Sequence, residues 1–192
     1  MRFEAGKIFH VYNRGNNQQR IFFERENYLF FLRKVRKHVL PHGDLLAYCL
    51  MPNHFHFLIV VKPSSPFPSN GFAPSDGNGE EDVDPLALNL GIAVLLRSYT
   101  QAINKQYQRT GSLFQQKTKA KYLTETADYA FICFQYIHQN PLRAGLVAQL
   151  EAWEFSSFND YAGFRAGTLC NQSLARELLD LSPTQFYQQS TK

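Results

Sequence analysis

The chain has 192 residues, 44% of them apolar and 15% aromatic, which suffices for one domain with a substantial core. No apolar run approaches the roughly 20 residues of a membrane-spanning helix, and the opening MRFEAGKIFH lacks a secretory apolar stretch, so a cytoplasmic protein with no membrane partner is expected. The net charge of +4 is modest but segregated, with no acidic residue from Arg97 to Thr124 and five crowded between Asp76 and Asp84, a pattern that suits either a polyanion-binding face or a solvated basic helix.

Lys7 to Asn13 (KIFHVYN) is aromatic and β-branched and runs into Arg14-Gly15-Asn16-Asn17, which predicts a strand and a turn. Tyr28, Leu29, Phe31, Leu32, Val35 and Val39 then recur at helical spacing until Pro41-His42-Gly43. Leu45 to Leu50 and His54 to Val61 are strand-like runs joined through Met51-Pro52-Asn53, a predicted hairpin. Along the second run His54, His56, Leu58 and Val60 face one side, and Phe55, Phe57, Ile59 and Val61 the other.

Residues 62–85 are rich in Pro, Ser, Gly and acid, the composition of a flexible or disordered insertion. Helical periodicity resumes from Leu86 to about Gln108, and Gly111 stops it. Ser112 to Leu123 reads as an irregular strand with a basic exposed face. Thr124 to Gln139 reads as a helix capped by Thr124 or Thr126 and ended by Pro141. A short helix from Ala144 to Leu150, the aromatic stretch WEFSSFNDYAGF and a last helix near Ser173 to Leu181 follow. The order fits an α+β domain over 1–165, a ferredoxin-like antiparallel sheet with helices on one face, followed by a C-terminal helix and tail over 166–192. Cys49, Cys133 and Cys170 are odd in number and far apart, which argues against a disulfide framework or a zinc site.

Two histidines at i and i+2 on a strand set both imidazoles over one face, close enough to share a divalent ion; two polar residues on a solvent-facing edge strand is the competing reading of His54 and His56. Tyr136 and Asn140 lie one helical turn apart, so a nucleophile and an oxygen ligand can face the same metal. A core aromatic and a helix-terminal asparagine are the plainer readings of those two.

Met51-Pro52-Asn53-His54-Phe55-His56, followed by an apolar strand, and Tyr136-Ile137-His138-Gln139-Asn140-Pro141-Leu142-Arg143-Ala144-Gly145-Leu146-Val147 resemble the single-tyrosine HUH transposases, and among them the REP-associated tyrosine transposases. Tyr12-Asn13-Arg14-Gly15-Asn16, Gly111-Ser112-Leu113-Phe114-Gln115, and Trp153 with Ser156, Ser157 and Tyr161 are similar too, so the resemblance spans roughly Lys7 to Tyr161.

The resemblance implies an HUH endonuclease fold, a catalytic Tyr136, metal ligation by His54 and His56, and Asn140 at the position of a third polar ligand, where some relatives carry glutamine. It implies a single-stranded DNA partner, a short hairpin with flanking unpaired bases, cut through a 5′-phosphotyrosine intermediate by a monomer or homodimer. A phosphate substrate and the lack of cysteine ligands favour Mg²⁺ or Mn²⁺. Arg14, Arg97, Lys105, Arg109, Lys117, Lys119 and Lys121, interleaved with Tyr99, Tyr107 and Tyr122, are the expected DNA contacts, Arg14 either touching a phosphate or anchoring its turn. Two alternatives stand beside this: a non-catalytic or domesticated nucleic-acid binder of the same fold, and a phosphodiesterase whose histidines activate water.

Overall fold

A computed structural model describes residues 3–63, 87–123, 127–181 and 186. Strands β1 (Ile8–Arg14), β2 (Gly43–Met51), β3 (His54–Val61) and β4 (Lys119–Tyr122) pair antiparallel in the order β2-β3-β1-β4. Helix α1 (Arg25–His38) connects β1 to β2, and α2 (Ala87–Gln106) lies between β3 and β4 in the chain. This is the expected α+β arrangement of ferredoxin-like type.

Strand alternation divides the sheet cleanly. Phe55 and Phe57 meet Phe31 of α1 at ring-centroid distances of 5.4 and 6.2 Å, and Tyr99 of α2 meets Phe31 at 4.9 Å. These rings are fully buried, so α1 and α2 share one face and form the main core there. Truncating the central ring, Phe31→Ala, is expected to cost about 3–5 kcal/mol of stability in urea unfolding, because burial is lost and a cavity remains.

Helix α3 (Ala127–Arg143) packs on β2 and β3 from the opposite side, the side of His54 and His56. The helices of the ferredoxin-like unit share a face as expected, and α3 is added to the other. Its end differs from expectation. The helix runs through Pro141, which forgoes one backbone hydrogen bond, and is stopped by Gly145 at φ +66°. There the Leu146 N–H donates to Pro141 O and the Gly145 N–H to Leu142 O, both at 2.9 Å, closing a Schellman turn. That turn occupies the start of the expected short helix, which is replaced by a 3₁₀ turn at Leu150–Ala152.

The following segment covers the edge of β2: Leu50 N–H donates to Phe155 O, and Ser157 N–H to Tyr48 O. Arg165 holds it there through the buried Asp160 carboxylate and the carbonyls of Glu154 and Ser156. Tyr161 (in α4, Phe158–Tyr161) donates to Leu46 O at 2.5 Å, and Trp153 Nε1 to Leu50 O at 3.1 Å. The aromatic and serine residues after α3 therefore protect an edge strand. Helix α5 (Gln172–Leu178) is capped by the Asn171 side chain, and the Asn171 N–H donates to Leu45 O. Most of the expected insertion, the Thr124 and Thr126 caps and most of the tail after Leu181 lie outside the described residues.

Candidate active site

The register of β1 against β3 sets Tyr12 opposite His56 and Arg14 opposite His54, so these four side chains and His10 share one face. β4 adds Lys119 opposite Tyr12 and Lys121 opposite His10. The His54 and His56 rings stand perpendicular, with centroids 4.9 Å apart. Tyr136 comes down from α3 edge-on, 5.7 Å from His56 and 6.2 Å from His10. Between helix and sheet lies a cavity of about 330 Å³, lined by Tyr12, Arg14, His54, His56, Lys117, Lys119 and Tyr136, with Asn13 and Gln115. Its lining includes three cations and no carboxylate.

His54 and His56 thus share one face, and Tyr136 is no core aromatic: it is 37% exposed. Arg143, two turns toward the helix end, places its guanidinium 5.8 Å from the Tyr136 ring centre.

Burial dominates the titration of the imidazoles. It pushes His54 down to about 4, assisted by Arg14, and His56 down to about 2, assisted by His10, His54 and Arg14. His10 is pushed down to about 4 by burial and then by Lys121. All three are neutral near pH 7, the state in which a ring nitrogen can ligate.

The second nitrogens are engaged behind the site. His54 Nδ1 lies 2.6 Å from Asn53 Oδ1, and His56 Nδ1 lies 2.9 Å from His10 Nε2. His56 Nε2 is buried and has no hydrogen-bond partner. A buried imidazole nitrogen without a hydrogen-bond partner, beside a second neutral imidazole, is a donor set that a divalent ion could take up. Among the described residues, no group of three His, Cys, Asp or Glu side chains is arranged to hold a metal.

Asn140 sits one turn beyond Tyr136, as the spacing requires. Its amide nitrogen donates to the Tyr136 carbonyl at 2.7 Å, it is only 9% exposed, and it is not part of the cavity lining.

The basic residues separate into groups. Arg14, Lys117 and Lys119 line the cavity, and Lys119 lies 5.9 Å from the Tyr12 ring centre. Lys121 shares the face and is bound to the Tyr129 hydroxyl. Arg97 and Lys117 line a second, open cavity of about 960 Å³ between α2 and residues 111–118. The two cavities share Asn13, Gln115 and Lys117. Lys105 is exposed but belongs to neither, and Arg109 is bound to Gln19 and lies against Phe23.

The interleaved aromatics do not lie together on the face of the histidines. Tyr99 is buried with its hydroxyl on Ile21 O, Tyr107 is bonded to Asn27, and Tyr122 pairs with Phe9 on the far face. His10, Tyr12 and Gln115 were missed from the sequence. The alternation of KIFHVYN puts His10 and Tyr12 on one face, and only the pairing with β3 shows which face that is.

No protein-family model and no curated protein matches the sequence. Among solved structures, a REP-associated tyrosine transposase bound to a REP hairpin aligns with a TM-score of 0.59 and 17% identity, over 89% of this chain and 91% of that one. A bacterial tRNA(His) guanylyltransferase-like protein aligns, in complex with GTP and with ATP, at TM-scores of 0.42 and 0.41. Identity there is 11%, over 74% of this chain and 68% and 62% of the others. The chain thus has the four-stranded α+β fold of the transposase structure, the same family that its motifs resemble. No helix of the described residues is long and apolar enough to cross a membrane.

Proposed function

We propose that this protein cuts and rejoins single-stranded DNA, with Tyr136 as the nucleophile. The observation that carries the reading is the edge-on approach of Tyr136 to His56 across a cavity of neutral imidazoles, three cations and no carboxylate. Such a lining attracts a phosphodiester and offers it an attacking oxygen. The fold neighbour was solved on a REP hairpin, which favours hairpin DNA as the substrate class.

A tyrosine with an ordinary pKa of about 10 is a weak nucleophile, so the phosphate must be neutralised and aligned. Arg14, Lys117 and Lys119 supply that charge, and the packing of the Tyr136 ring at a steep angle to His56 keeps it in the lining of the same cavity. A divalent ion, Mg²⁺ or Mn²⁺, held by His54 and His56 with the Asn140 oxygen as a third ligand, would supply Lewis-acid polarisation of a non-bridging oxygen. In the reaction the Tyr136 Oη–P bond forms as the P–O3′ bond breaks. The phenol gives up its proton, and the leaving 3′ oxygen takes one up. One phosphodiester replaces another, so a different 3′-hydroxyl can reverse the step and join a new strand. With one such tyrosine per chain, paired cuts take two protomers or two rounds.

The open cavity beside α2 continues the path of the strand. Asn13, Gln115 and Lys117 join it to the reaction cavity, and Arg97 extends the positive lining.

The test uses a pool of single-stranded hairpins with randomised flanks, labelled at the 3′ end, incubated with the protein and Mn²⁺ and run on a denaturing gel. Label is expected to migrate with the protein. Strand cleavage with no adduct would instead identify a phosphodiesterase that activates water. In the same system DNA affinity is expected to fall steeply with salt, and Lys117→Gln and Lys119→Gln are each expected to lower the log–log slope by about 0.7. An unchanged slope removes those lysines from the phosphate path.

A further inference from the structure

The histidine pair motif gives His10 no role, yet it is the side chain most intimately joined to His56. It stands on β1 with its Nε2 2.9 Å from His56 Nδ1, the two rings stacked with centroids 5.1 Å apart and 25° between planes. A single proton lies between these nitrogens. If His10 donates it, His56 carries its own proton on Nε2, at the buried end of the ring. If His56 donates it, Nε2 is a lone pair.

Two observations choose between these. First, His56 Nε2 is buried with no acceptor within reach, and the cavity lining carries Arg14, Lys117 and Lys119 without a carboxylate. An N–H there would turn the positive end of its dipole into a positive field with nothing to accept it, whereas a lone pair turns the negative end into that field. Second, the companion ring is already arranged in that way. His54 Nδ1 meets Asn53 Oδ1 at 2.6 Å, and an amide oxygen only accepts, so His54 carries its proton on Nδ1 and keeps a lone pair on Nε2.

We propose that His10 is a positioning residue: by accepting the Nδ1 proton of His56 it fixes that ring's tautomer and orientation, so that His54 and His56 present two matched Nε2 lone pairs to one ion. The proposal rests on the reading of this site as a divalent-ion site. Asn53 and His10 then play the same part for the two ligands, from the hairpin turn and from the neighbouring strand. Partners of this kind behind metal-bound histidines set ring direction and raise ligand basicity. Without His10, the ring loses its acceptor and the proton can move to the ligating atom.

Imidazole ¹⁵N spectroscopy of the full-length protein, with no metal and no DNA, reads the tautomer directly. His56 is expected to carry its proton on Nδ1 in the native protein and in His10→Gln, whose amide oxygen can replace the Nε2 acceptor. His10→Phe is expected to move the proton to Nε2. Mn²⁺ binding, followed by the electron paramagnetic resonance of the free ion, is expected to weaken about 10- to 100-fold in His10→Phe and to recover to within about threefold in His10→Gln.

An Nε2–H tautomer for His56 in the native protein overturns the proposal, as does native Mn²⁺ affinity in His10→Phe when His56→Ala has lost it. Should His10→Phe fail to fold, the native spectrum and His10→Gln still decide. The tautomer is read without DNA, so a failed adduct assay leaves it standing. A normal adduct from a protein with Nε2–H His56 sinks the role of His10 and spares that of Tyr136.

Discussion

Tyr136→Phe is expected to reduce the covalent protein–DNA adduct by at least about 10³-fold while leaving hairpin affinity within about twofold. The substitution removes one oxygen and keeps the ring, so the edge-on contacts with His56 and His10 and the guanidinium of Arg143 are retained. The ring is more than one-third exposed, so the fold does not depend on its hydroxyl. On the proposed reading, binding comes from the cations of the sheet and of the open cavity, none of which is touched. The informative control is Tyr12→Phe. Tyr12 lines the same cavity, its ring 5.7 Å from His56 and 4.8 Å from His10, and it is the other phenol of that lining among the described residues. If the adduct survives Tyr136→Phe and disappears in Tyr12→Phe, the chemistry belongs to the strand tyrosine and the assignment from α3 fails. Denaturing gels with the 3′-labelled pool measure the adduct, and fluorescence anisotropy of the same hairpins measures binding.

Much of this site is legible in the sequence because its signals are local. Strand alternation alone places His54 and His56 on one face, the Pro-Asn connection makes the hairpin, and a four-residue spacing stacks Tyr136 beneath Asn140. What is not legible depends on partners far along the chain. His10 lies 46 positions from His56, and their contact follows from the pairing of β1 with β3, which no local pattern specifies. Tyr99 of α2 misleads for a related reason: in a helix with apolar residues on several sides, spacing does not say which of them the core takes, and this ring is one of those it buries. Pro141 reads as a helix terminator because it lacks a donor, but the chain tolerates the loss near a helix end and leaves termination to Gly145. Asn140 has the expected helical spacing from Tyr136 but lies outside the cavity lining, and its amide nitrogen is spent on its own helix. Trp153, Ser156, Ser157 and Tyr161 carry a family resemblance whose physical content is an edge strand sealed by hydrogen bonds.

The second large effect concerns the order in which the site assembles. Mn²⁺ is expected to bind the DNA-free protein weakly and to bind at least about tenfold more tightly once a hairpin occupies Tyr136→Phe, which blocks covalent capture. The reason is electrostatic. The cavity offers two neutral imidazoles and faces them with Arg14, Lys117 and Lys119, and Arg14 already opposes positive charge on both rings, as the lowered histidine pKa values record. A divalent ion meets that opposition twice over. One phosphate reverses the balance: at an effective dielectric of about 20, a unit charge 4 Å away contributes about 4 kcal/mol before desolvation, so even a quarter of it surviving exceeds fivefold in affinity. Linkage makes the effect reciprocal, so Mn²⁺ must raise hairpin affinity by the same factor. Arg14→Gln separates charge from geometry: Mn²⁺ affinity without DNA is expected to rise, and the coupling to shrink. Calorimetric titration of Mn²⁺ into free and hairpin-bound Tyr136→Phe measures both arms. Equal Mn²⁺ affinity in the two would mean that the imidazoles hold their ion independently of the substrate, and that the cations of the cavity act on the DNA alone.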